Sequence, residues 1–212
     1  MIKIINREIY PKTKRIPNEG VTFMYTEKLD GANLVFFKKD GKLHVCQRKH
    51  IFTLDEMPEM KGKFYRGLEG WLNEHGKALE DELIEGSAIC GEWLGMGHLK
   101  YPDLDKRWYM FAKANINVDY NLVNIKFDHD LFIYPFNNTE IPSYLGVVPV
   151  IYNSSRYRPS KVTLDLMYGY YCMIVNRPVE GIVINYDNTI LKYVRYKNGK
   201  KCEYNEDDHK GA

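Results

Sequence analysis

The stretch TEKLDGAN, residues 26–33, places a charged pair, Glu27 and Lys28, and a Leu-Asp-Gly turn between two apolar runs. The flanking runs, VTFMY and LVFF, are rich in β-branched and aromatic residues, which predicts a β-strand on each side. Asp30 and Gly31 predict a tight turn, because glycine permits positive φ and aspartate can hydrogen-bond the turn backbone. A lysine fixed at such a strand end and partly desolvated can act as a nucleophile. An ordinary surface lysine before a turn is the alternative, since four residues alone are not specific.

Short apolar runs elsewhere in the chain predict a mainly β structure with two helices. Asp40-Gly41 and Asn198-Gly199 are hairpin-turn signals. Apolar residues at helical spacing predict a helix over 65–86, and a shorter one is predicted over 160–175. The pattern predicts an α+β fold of mainly antiparallel sheets flanked by helices. The predicted strands are 23–30, 33–48, 87–95, 107–116, 130–136, 179–186 and 189–197.

The composition excludes several classes of protein. A chain of 212 residues, 44% hydrophobic and 27% charged, is typical of one globular domain, or of one with a small appendage. No apolar run reaches the ~18–20 residues of a membrane span, and the N-terminus lacks the pattern of a secretory signal. Cys46, Cys90, Cys172 and Cys202 form no CxxC pair, which argues against zinc and favours a reducing cytosol. The first three are expected to fill core positions.

Five further residues follow Lys28 in order along the chain. They are Arg48 in VCQRKH, Glu92 in GEWLG, Phe111 in RWYMF, Glu180 in EGIVI and Lys192 in ILKYVRYK. Each has an ordinary alternative, since a glutamate can be solvated, a lysine can snorkel and a phenylalanine can fill a core. The ordered set of six is far more specific than any member.

This ordered set resembles the motif series of the covalent nucleotidyltransferases, which include ATP-dependent DNA and RNA ligases and mRNA capping enzymes. The forms EKLDGAN and GEWLG are similar to those of RNA ligases of the phage T4 RNA ligase 2 type. The resemblance covers residues 20–196, nearly the whole chain. It implies the nucleotidyltransferase fold, that of a ligase adenylation domain.

The resemblance also implies an activity and its cofactors. Such enzymes transfer AMP from ATP to a lysine and then to a 5′-phosphate end, which a 3′-hydroxyl attacks to seal the strand. We therefore expect an ATP-dependent RNA ligase that uses Mg²⁺ or Mn²⁺ and acts in RNA repair, on RNA ends or on duplexes containing DNA. The alternatives are a DNA ligase, a GTP-using capping-type enzyme, or a nucleotide- or RNA-binding module that has lost end-joining. A cytoplasmic location follows, and the composition would suit a phage or another AT-rich genome.

Named residues take roles from the resemblance. Lys28 is the implied nucleophile and Lys192 the implied α-phosphate contact, which makes both catalytic. Glu92 would accept hydrogen bonds from the ribose, Phe111 would stack on adenine, and Glu27 would help to select the base. The implied nucleotide-binding set is Glu27, Lys28, Arg48, Glu92, Phe111 (with Trp108 and Tyr109 as alternatives), Glu180 and Lys192; Asn33 and Arg48 would contact the nucleic acid, and Glu180 would place the metal.

Two departures from the pattern concern the C-terminal end. Val194 stands where the family usually has a second lysine; Arg195 points to the opposite face of a regular strand, and Lys197 could substitute only at a bulge. The expected organisation is an adenylation domain over 1–198 and a polar, frayed tail over 199–212, with no separate C-terminal or OB domain. The chain would then be a minimal ligase, a piece of a longer protein, or a ligase that borrows a protein partner for substrate binding, and the segment 112–160 is a candidate insertion that compensates.

Overall fold

The computed structural model describes residues 3–4, 23–48, 50–127, 134–138, 140–153, 160–186 and 189–202. It divides into two compact units. The first comprises Met1–Pro11, Gly31–Met96 and Lys106–Val147, and the second comprises Lys12–Asp30, Gly97–Asp105 and Val148–Ala212. In chain order the elements are β1 (Lys3–Ile4), β2 (Met24–Lys28), β3 (Ala32–Lys39), β4 (Lys42–Gln47), β5 (His50–Thr53), a 3₁₀ helix (Leu54–Met60), α1 (Leu68–Glu82), β6 (Ser87–Trp93), a second 3₁₀ helix (Leu94–Met96), β7 (Trp108–Ile116), β8 (Leu122–Lys126), β9 (Gly146–Val147), β10 (Val150–Asn153), α2 (Lys161–Val175), β11 (Gly181–Tyr186), β12 (Thr189–Val194), β13 (Tyr196–Lys197) and β14 (Lys200–Lys201).

The described part of the first unit is built on an eight-stranded sheet with α1 packed on one face. Its strands run in the order β1-β5-β4-β3-β6-β7-β8, all antiparallel, and β9 adds to β7 in parallel. The predicted hairpin between β3 and β4 is confirmed, since Asp40 and Gly41 have φ values of 55° and 73°. Alternation along β3 sends Leu34 and Phe36 into the core under α1.

The helix α1 confirms the prediction over 65–86 but is shorter at both ends. It begins after Gly67, which has a φ of 81°, and ends where Leu83 becomes extended. Position 76, inside the helix, is a glycine because the helix packs closely against Leu54. A Cβ at this position would come within 2.9 Å of the Leu54 side chain. Helix packing thus overrides the weak helix propensity of this glycine.

The second unit contains a four-stranded antiparallel sheet, in the order β10-β2-β11-β12, with α2 packed against one face. The predicted helix over 160–175 is confirmed. Ser160 caps it by accepting a hydrogen bond from the Thr163 backbone N–H at 3.1 Å, and Asn176 ends it in the left-handed conformation at φ 50°. The buried residues of this core include Tyr25, Leu164, Tyr168, Tyr171, Ile182, Ile184, Leu191 and Tyr193.

Several details differ from the sequence prediction. Within the predicted strand 130–136, residues 130–133 lie outside the described residues, and Phe136 makes only an isolated bridge with Leu83. The predicted frayed tail is wrong for its first residues, because β14 pairs with β13 across the Asn198-Gly199 turn. The candidate insertion over 112–160 contributes β8 and β9 to the first sheet and β10 to the second. The domain limits 1–198 and 199–212 stay predictions.

Two further points concern burial and membranes. Cys46 and Cys90 are buried as predicted, whereas Cys172 is only half-buried. None of the helices in the described ranges is long and apolar enough to cross a membrane.

Candidate active site

The first set of candidates lies on one face of the sheet in the second unit. Lys28 ends β2 and pairs with Gly181 of β11, which in turn pairs with Val194 of β12. Directly paired residues share a face, so Lys28 and Val194 lie in one row, and Lys192 is on the same face two residues before Val194. A Cβ on Gly181 would lie 2.0 Å from the Tyr193 carbonyl oxygen, so only glycine fits between the two strands here. In this row, the residue between Lys28 and Val194 is therefore Gly181, which has no side chain.

An ion pair joins Lys28 to Glu180. Lys28 Nζ lies 2.6 Å from Glu180 Oε1, and the two side chains are 24% and 15% exposed. Glu180 directly precedes β11, and its carbonyl oxygen accepts hydrogen bonds from the Arg195 and Tyr196 N–H groups at 2.7 and 2.9 Å. These two bonds to one carbonyl mark a bulge after β12 and fix the backbone of Glu180. Its second carboxylate oxygen, Oε2, is buried and has no hydrogen-bond partner among the described residues.

Burial shapes the electrostatics around this ion pair. Burial raises the pKa of Glu180, while the positive charges of Lys28 and Lys192 oppose the shift. Burial also lowers the pKa of Lys192; Lys28 and Lys197 lower it further, and Glu180 acts in the opposite direction. The Asp30 carboxylate also raises the pKa of Glu180, so two carboxylates and three lysines, Lys28, Lys192 and Lys197, act on this group of residues. Such an excess of positive charge suits a phosphate ligand.

The opposite face of the same strand holds a buried charge network around Glu27. Glu27 is 0% exposed and accepts a bidentate pair of hydrogen bonds from Arg177, at 2.5 Å from Nη1 and 2.9 Å from Nη2. Tyr171 of α2 donates its hydroxyl to Glu27 Oε2 at 2.8 Å. Asp103 accepts from Arg177 Nε and Nη2 at 2.5 and 3.0 Å. A contact between the Glu27 carboxylate and a purine, as the resemblance implies, would require that Arg177 and Tyr171 release it.

A loop within residues 97–105 fixes the other side of Lys28. Asp30 Oδ2 accepts hydrogen bonds from the backbone N–H groups of His98 and Leu99 at 2.6 and 2.9 Å. The Asp30 N–H in turn donates to the Tyr101 hydroxyl at 2.5 Å, and the Arg177 guanidinium lies 4.7 Å from the Tyr101 ring centroid. Residues on both sides of Lys28 are thus held by one network. The expectation that Asp30 bonds its own turn is wrong, since its partners belong to this loop.

Glycine is needed at position 31 for a different reason from the one expected from the sequence. Its φ is not positive. A Cβ at Gly31 would lie 2.5 Å from the Trp93 carbonyl oxygen and 2.9 Å from the Glu92 Cγ. Glycine is required here by close approach to β6 in the first unit, not by a left-handed turn.

The second set of candidates lies in the first unit, around Tyr65. Asn33 of β3 pairs directly with Glu92 of β6, which places both on one face. Tyr65 donates its hydroxyl to the Asn33 carbonyl oxygen at 3.3 Å. Burial raises the pKa of Tyr65 to about 12; Glu92 adds to this shift and Arg48 opposes it, so both charges lie close to the phenol. Arg48 is exposed, in the turn after β4, with an unusual φ of 35°.

The aromatic candidates of β7 differ in exposure. Trp108 is 0% exposed in the α1 core and donates its indole N–H to the Leu34 carbonyl at 3.0 Å, so it is a core residue. Tyr109 is 4% exposed, and its hydroxyl accepts a hydrogen bond from the Lys106 N–H at 2.9 Å. Phe111 is half-buried and is the extra residue of a bulge opposite β6. Of the three, Phe111 keeps the most accessible ring.

The site residues predicted from the sequence therefore fall into two sets. Lys28, Glu180 and Lys192 are brought together in the second unit, and Asn33, Arg48 and Glu92 in the first. The prediction missed the supporting residues, which are Tyr65, Tyr101, Asp103, Tyr171 and Arg177. These residues form no short motif, because the Glu27–Arg177 pair spans 150 positions and the Asp103–Arg177 pair spans 74.

Comparison with solved structures shows similarity at the level of the fold to one RNA ligase structure. An apo point mutant of Naegleria gruberi RNA ligase aligns with a TM-score of 0.52 and 16% identity, over 91% of this chain and 58% of that one. A second apo mutant of Naegleria gruberi RNA ligase gives a TM-score of 0.44 and 13% identity, over 87% of this chain and 56% of that one. The chain thus spans somewhat more than half the length of these structures. A search of curated protein sequences finds no match.

The family comparison covers most of the chain. The family model for RNA ligase matches residues 21–197, a range that includes both sets of candidate residues. Because this match extends over well more than half of the sequence, the chain belongs to the RNA ligase family.

Proposed function

We propose that this chain is an ATP-dependent RNA ligase that joins 5′-phosphate and 3′-hydroxyl ends through a lysine–AMP intermediate on Lys28. The observation that carries this proposal is the Lys28–Glu180 ion pair at 2.6 Å, with Lys192 on the same face of the sheet, in a chain of the RNA ligase family. A lysine with a fixed carboxylate partner and a neighbouring cation has the groups that phosphoryl transfer needs.

In the first step, the lone pair of Lys28 Nζ attacks the α-phosphorus of ATP. An N–P bond forms, the P–O bond to the β-phosphate breaks, and pyrophosphate leaves. The ammonium must first give up a proton, and the nearest acceptor is Glu180 Oε1 at 2.6 Å. Because burial raises the pKa of Glu180, this transfer is less unfavourable than to a solvated carboxylate. Lys192 would neutralise charge that develops on the α-phosphate.

The chemistry of Glu180 also fits a divalent cation. Its Oε2 is buried without a partner in the described part of the chain, and Mg²⁺ is usually held by one or two carboxylates together with phosphate oxygens and water. Glu180 would hold Mg²⁺ or Mn²⁺ through this oxygen. When bound, the metal supplies positive charge that neutralises the phosphates.

The other candidates take the roles that the family resemblance implies. Glu92 would accept hydrogen bonds from ribose hydroxyls, and Phe111 would stack on adenine because its ring is the most accessible of the three candidates. Asn33 and Arg48 would hold the nucleic-acid end. In the later steps AMP passes from Lys28 to the RNA 5′-phosphate, and the 3′-hydroxyl attacks that phosphorus and expels AMP.

The test is a gel assay for covalent adenylation. Wild-type protein incubated with α-labelled ATP and Mg²⁺ should carry the label through a denaturing gel, and Lys28→Ala should carry none. Lys38→Ala, on a hairpin of the other unit, is the matched control and should label normally. An unlabelled wild type, or full labelling of Lys28→Ala, would refute the proposal. Adding nicked RNA or DNA duplexes, and replacing ATP with GTP, then separates an RNA ligase from a DNA ligase or a capping enzyme.

One observation favours a second candidate, a module that binds or adenylates but does not seal. Val194 lies in the same row as Lys28, where the family usually has a second lysine. This candidate predicts labelled protein without sealed RNA. A sealed product from the wild type would exclude it.

A further inference from the structure

Two hairpins of this protein have nearly the same sequence but different electrostatic surroundings. The β3–β4 hairpin turns at Asp40-Gly41 and the β13–β14 hairpin turns at Asn198-Gly199. In each hairpin the two residues that flank the turn are lysines paired directly across the strands, Lys39 with Lys42 and Lys197 with Lys200. Like charges directly opposite one another destabilise a hairpin, so each pair calls for a compensating partner.

The first hairpin has its compensation within the protein. Lys42 Nζ lies 2.6 Å from Asp55 Oδ2, and Lys39 Nζ lies 3.4 Å from the Val118 carbonyl oxygen and 4.1 Å from the centroid of the Tyr120 ring. The carboxylate of Glu85 accepts hydrogen bonds from both turn N–H groups, at 2.7 and 3.1 Å. Both lysines of this hairpin therefore have partners within their own unit, a carboxylate for Lys42 and a carbonyl oxygen and an aromatic ring for Lys39.

The second hairpin has no such compensation among the described residues. Lys197, Lys200 and the neighbouring Lys201 are all exposed, and no carboxylate of residues 23–202 that the structure describes pairs with them. The adjacent Arg195 differs, because its guanidinium is bonded to Asp165 and to the Tyr193 hydroxyl. Within the part of the chain that the structure describes, the three lysines of this short hairpin therefore have no carboxylate partner. Their exposed positive charges would attract a polyanion from outside the protein.

The position of this hairpin ties it to the Lys28 face. It follows β12 directly, and its first residues hydrogen-bond to the carbonyl of Glu180. The Cys202 N–H donates to the Arg195 carbonyl at 2.9 Å and closes the hairpin. Lys197 is five residues after Lys192, a span of at most about 17 Å. The positive charge of Lys197 lowers the pKa of Lys192. A chain of phosphates that ends at Lys28 could therefore reach these lysines.

We propose that the β13–β14 hairpin binds the phosphodiester backbone of the RNA whose end is joined at Lys28. This inference rests on the proposed function and names a substrate contact that the motif series does not include. A flexible lysine suits a phosphate that moves past the site, because it acts as a point charge without a fixed geometry. The bulge at Arg195 and Tyr196 sets the hairpin's starting point at Glu180, beside the reacting lysine.

The test measures RNA binding as a function of salt. A fluorescein-labelled single-stranded RNA with a 5′-phosphate is titrated with protein by fluorescence anisotropy over a KCl series. Each phosphate contact contributes about 0.7 to the slope of log K against log salt for single strands. The double variant Lys200→Gln/Lys201→Gln should therefore bind more weakly and lose about 1.4 from this slope. The matched double variant Lys39→Gln/Lys42→Gln should keep the wild-type slope.

Self-adenylation of the same proteins separates the two proposals, because that step uses ATP and no RNA. If the wild type fails to adenylate, the proposed function falls. If the wild type adenylates but the Lys200/Lys201 variant keeps the wild-type slope and affinity, the hairpin proposal falls. A variant that keeps RNA binding but loses binding to polyglutamate would assign the hairpin to an acidic protein and would also overturn the proposal.

Discussion

Replacing Arg177 with methionine should destabilise the second unit severely, because it removes the charge that compensates Glu27. Arg177 and Glu27 are 3% and 0% exposed, so water cannot replace the lost partner. Breaking a buried ion pair from one side costs about 3–5 kcal/mol, most of it from the charge left unpaired. Asp103, the other partner, is 39% exposed and adds little, since water solvates its carboxylate. For a chain of this size the loss corresponds to a decrease in Tm of roughly 6–20 °C.

Urea unfolding, followed by tryptophan and tyrosine fluorescence, measures this loss, and a second variant identifies its cause. Glu27→Gln/Arg177→Met removes both buried charges and should recover at least half of the deficit, because the only carboxylate that loses its partner, Asp103, is partly exposed to water. A double variant as unstable as the single one would show that packing and not charge makes Arg177 important.

Four shorter predictions follow from the same geometry. Lys192→Arg should move the alkaline fall of the adenylation rate to higher pH. Burial lowers the pKa of Lys192, whereas a guanidinium stays charged at alkaline pH. A pH–rate profile of adenylation measures this shift. Phe111→Ala should raise the KM for ATP by about 5- to 150-fold, the equivalent of 1–3 kcal/mol of stacking. Trp108→Ala should instead cost about 3–5 kcal/mol of stability in urea unfolding, since this side chain is fully buried. Burial raises the pKa of Asp103, but the hydrogen bonds and charge of Arg177 lower this pKa by more. The ionised carboxylate therefore stabilises the fold at neutral pH, and this contribution is lost in acid. The difference in stability between the wild type and Asp103→Asn should disappear as the pH falls through the titration of Asp103.

The elements that the sequence predicted well are those with a local signal. The runs around Lys28 and Lys192 became β2 and β12, because both are short runs rich in β-branched and aromatic residues. The Asp40-Gly41 and Asn198-Gly199 turns became hairpins, because both residues of each pair accept positive φ. Alternation also explains why Glu27 and Lys28, neighbours in the sequence, serve a buried network and an open face.

The supporting network could not be predicted, because its signal is not local. Arg177 lies in a short Asn-Arg-Pro connection, where an arginine is ordinarily exposed. Its burial depends on a carboxylate from β2 and another from the loop at 97–105, which only the tertiary fold brings together. The bulge that contains Phe111 was equally hidden, since a run of strand-forming residues gives no indication of a register shift.

The valine at position 194 has an electrostatic explanation in the geometry of the second sheet. Residues of one row that are two strands apart lie about 9.6 Å from each other, and two unit charges at that distance repel by about 1.7 kcal/mol at an effective dielectric constant of 20. Glu180 is already paired with Lys28, and its charge also acts on Lys192, so a third ammonium in the row of Lys28 would add this repulsion without a carboxylate of its own. On the β13–β14 hairpin the same charge is exposed to water and screened by salt, and RNA phosphates can neutralise it during binding. Under the proposed function, a lysine on the hairpin in place of one in the sheet would thus keep positive charge for the polynucleotide and spare the folded protein an unpaired charge beside Lys28.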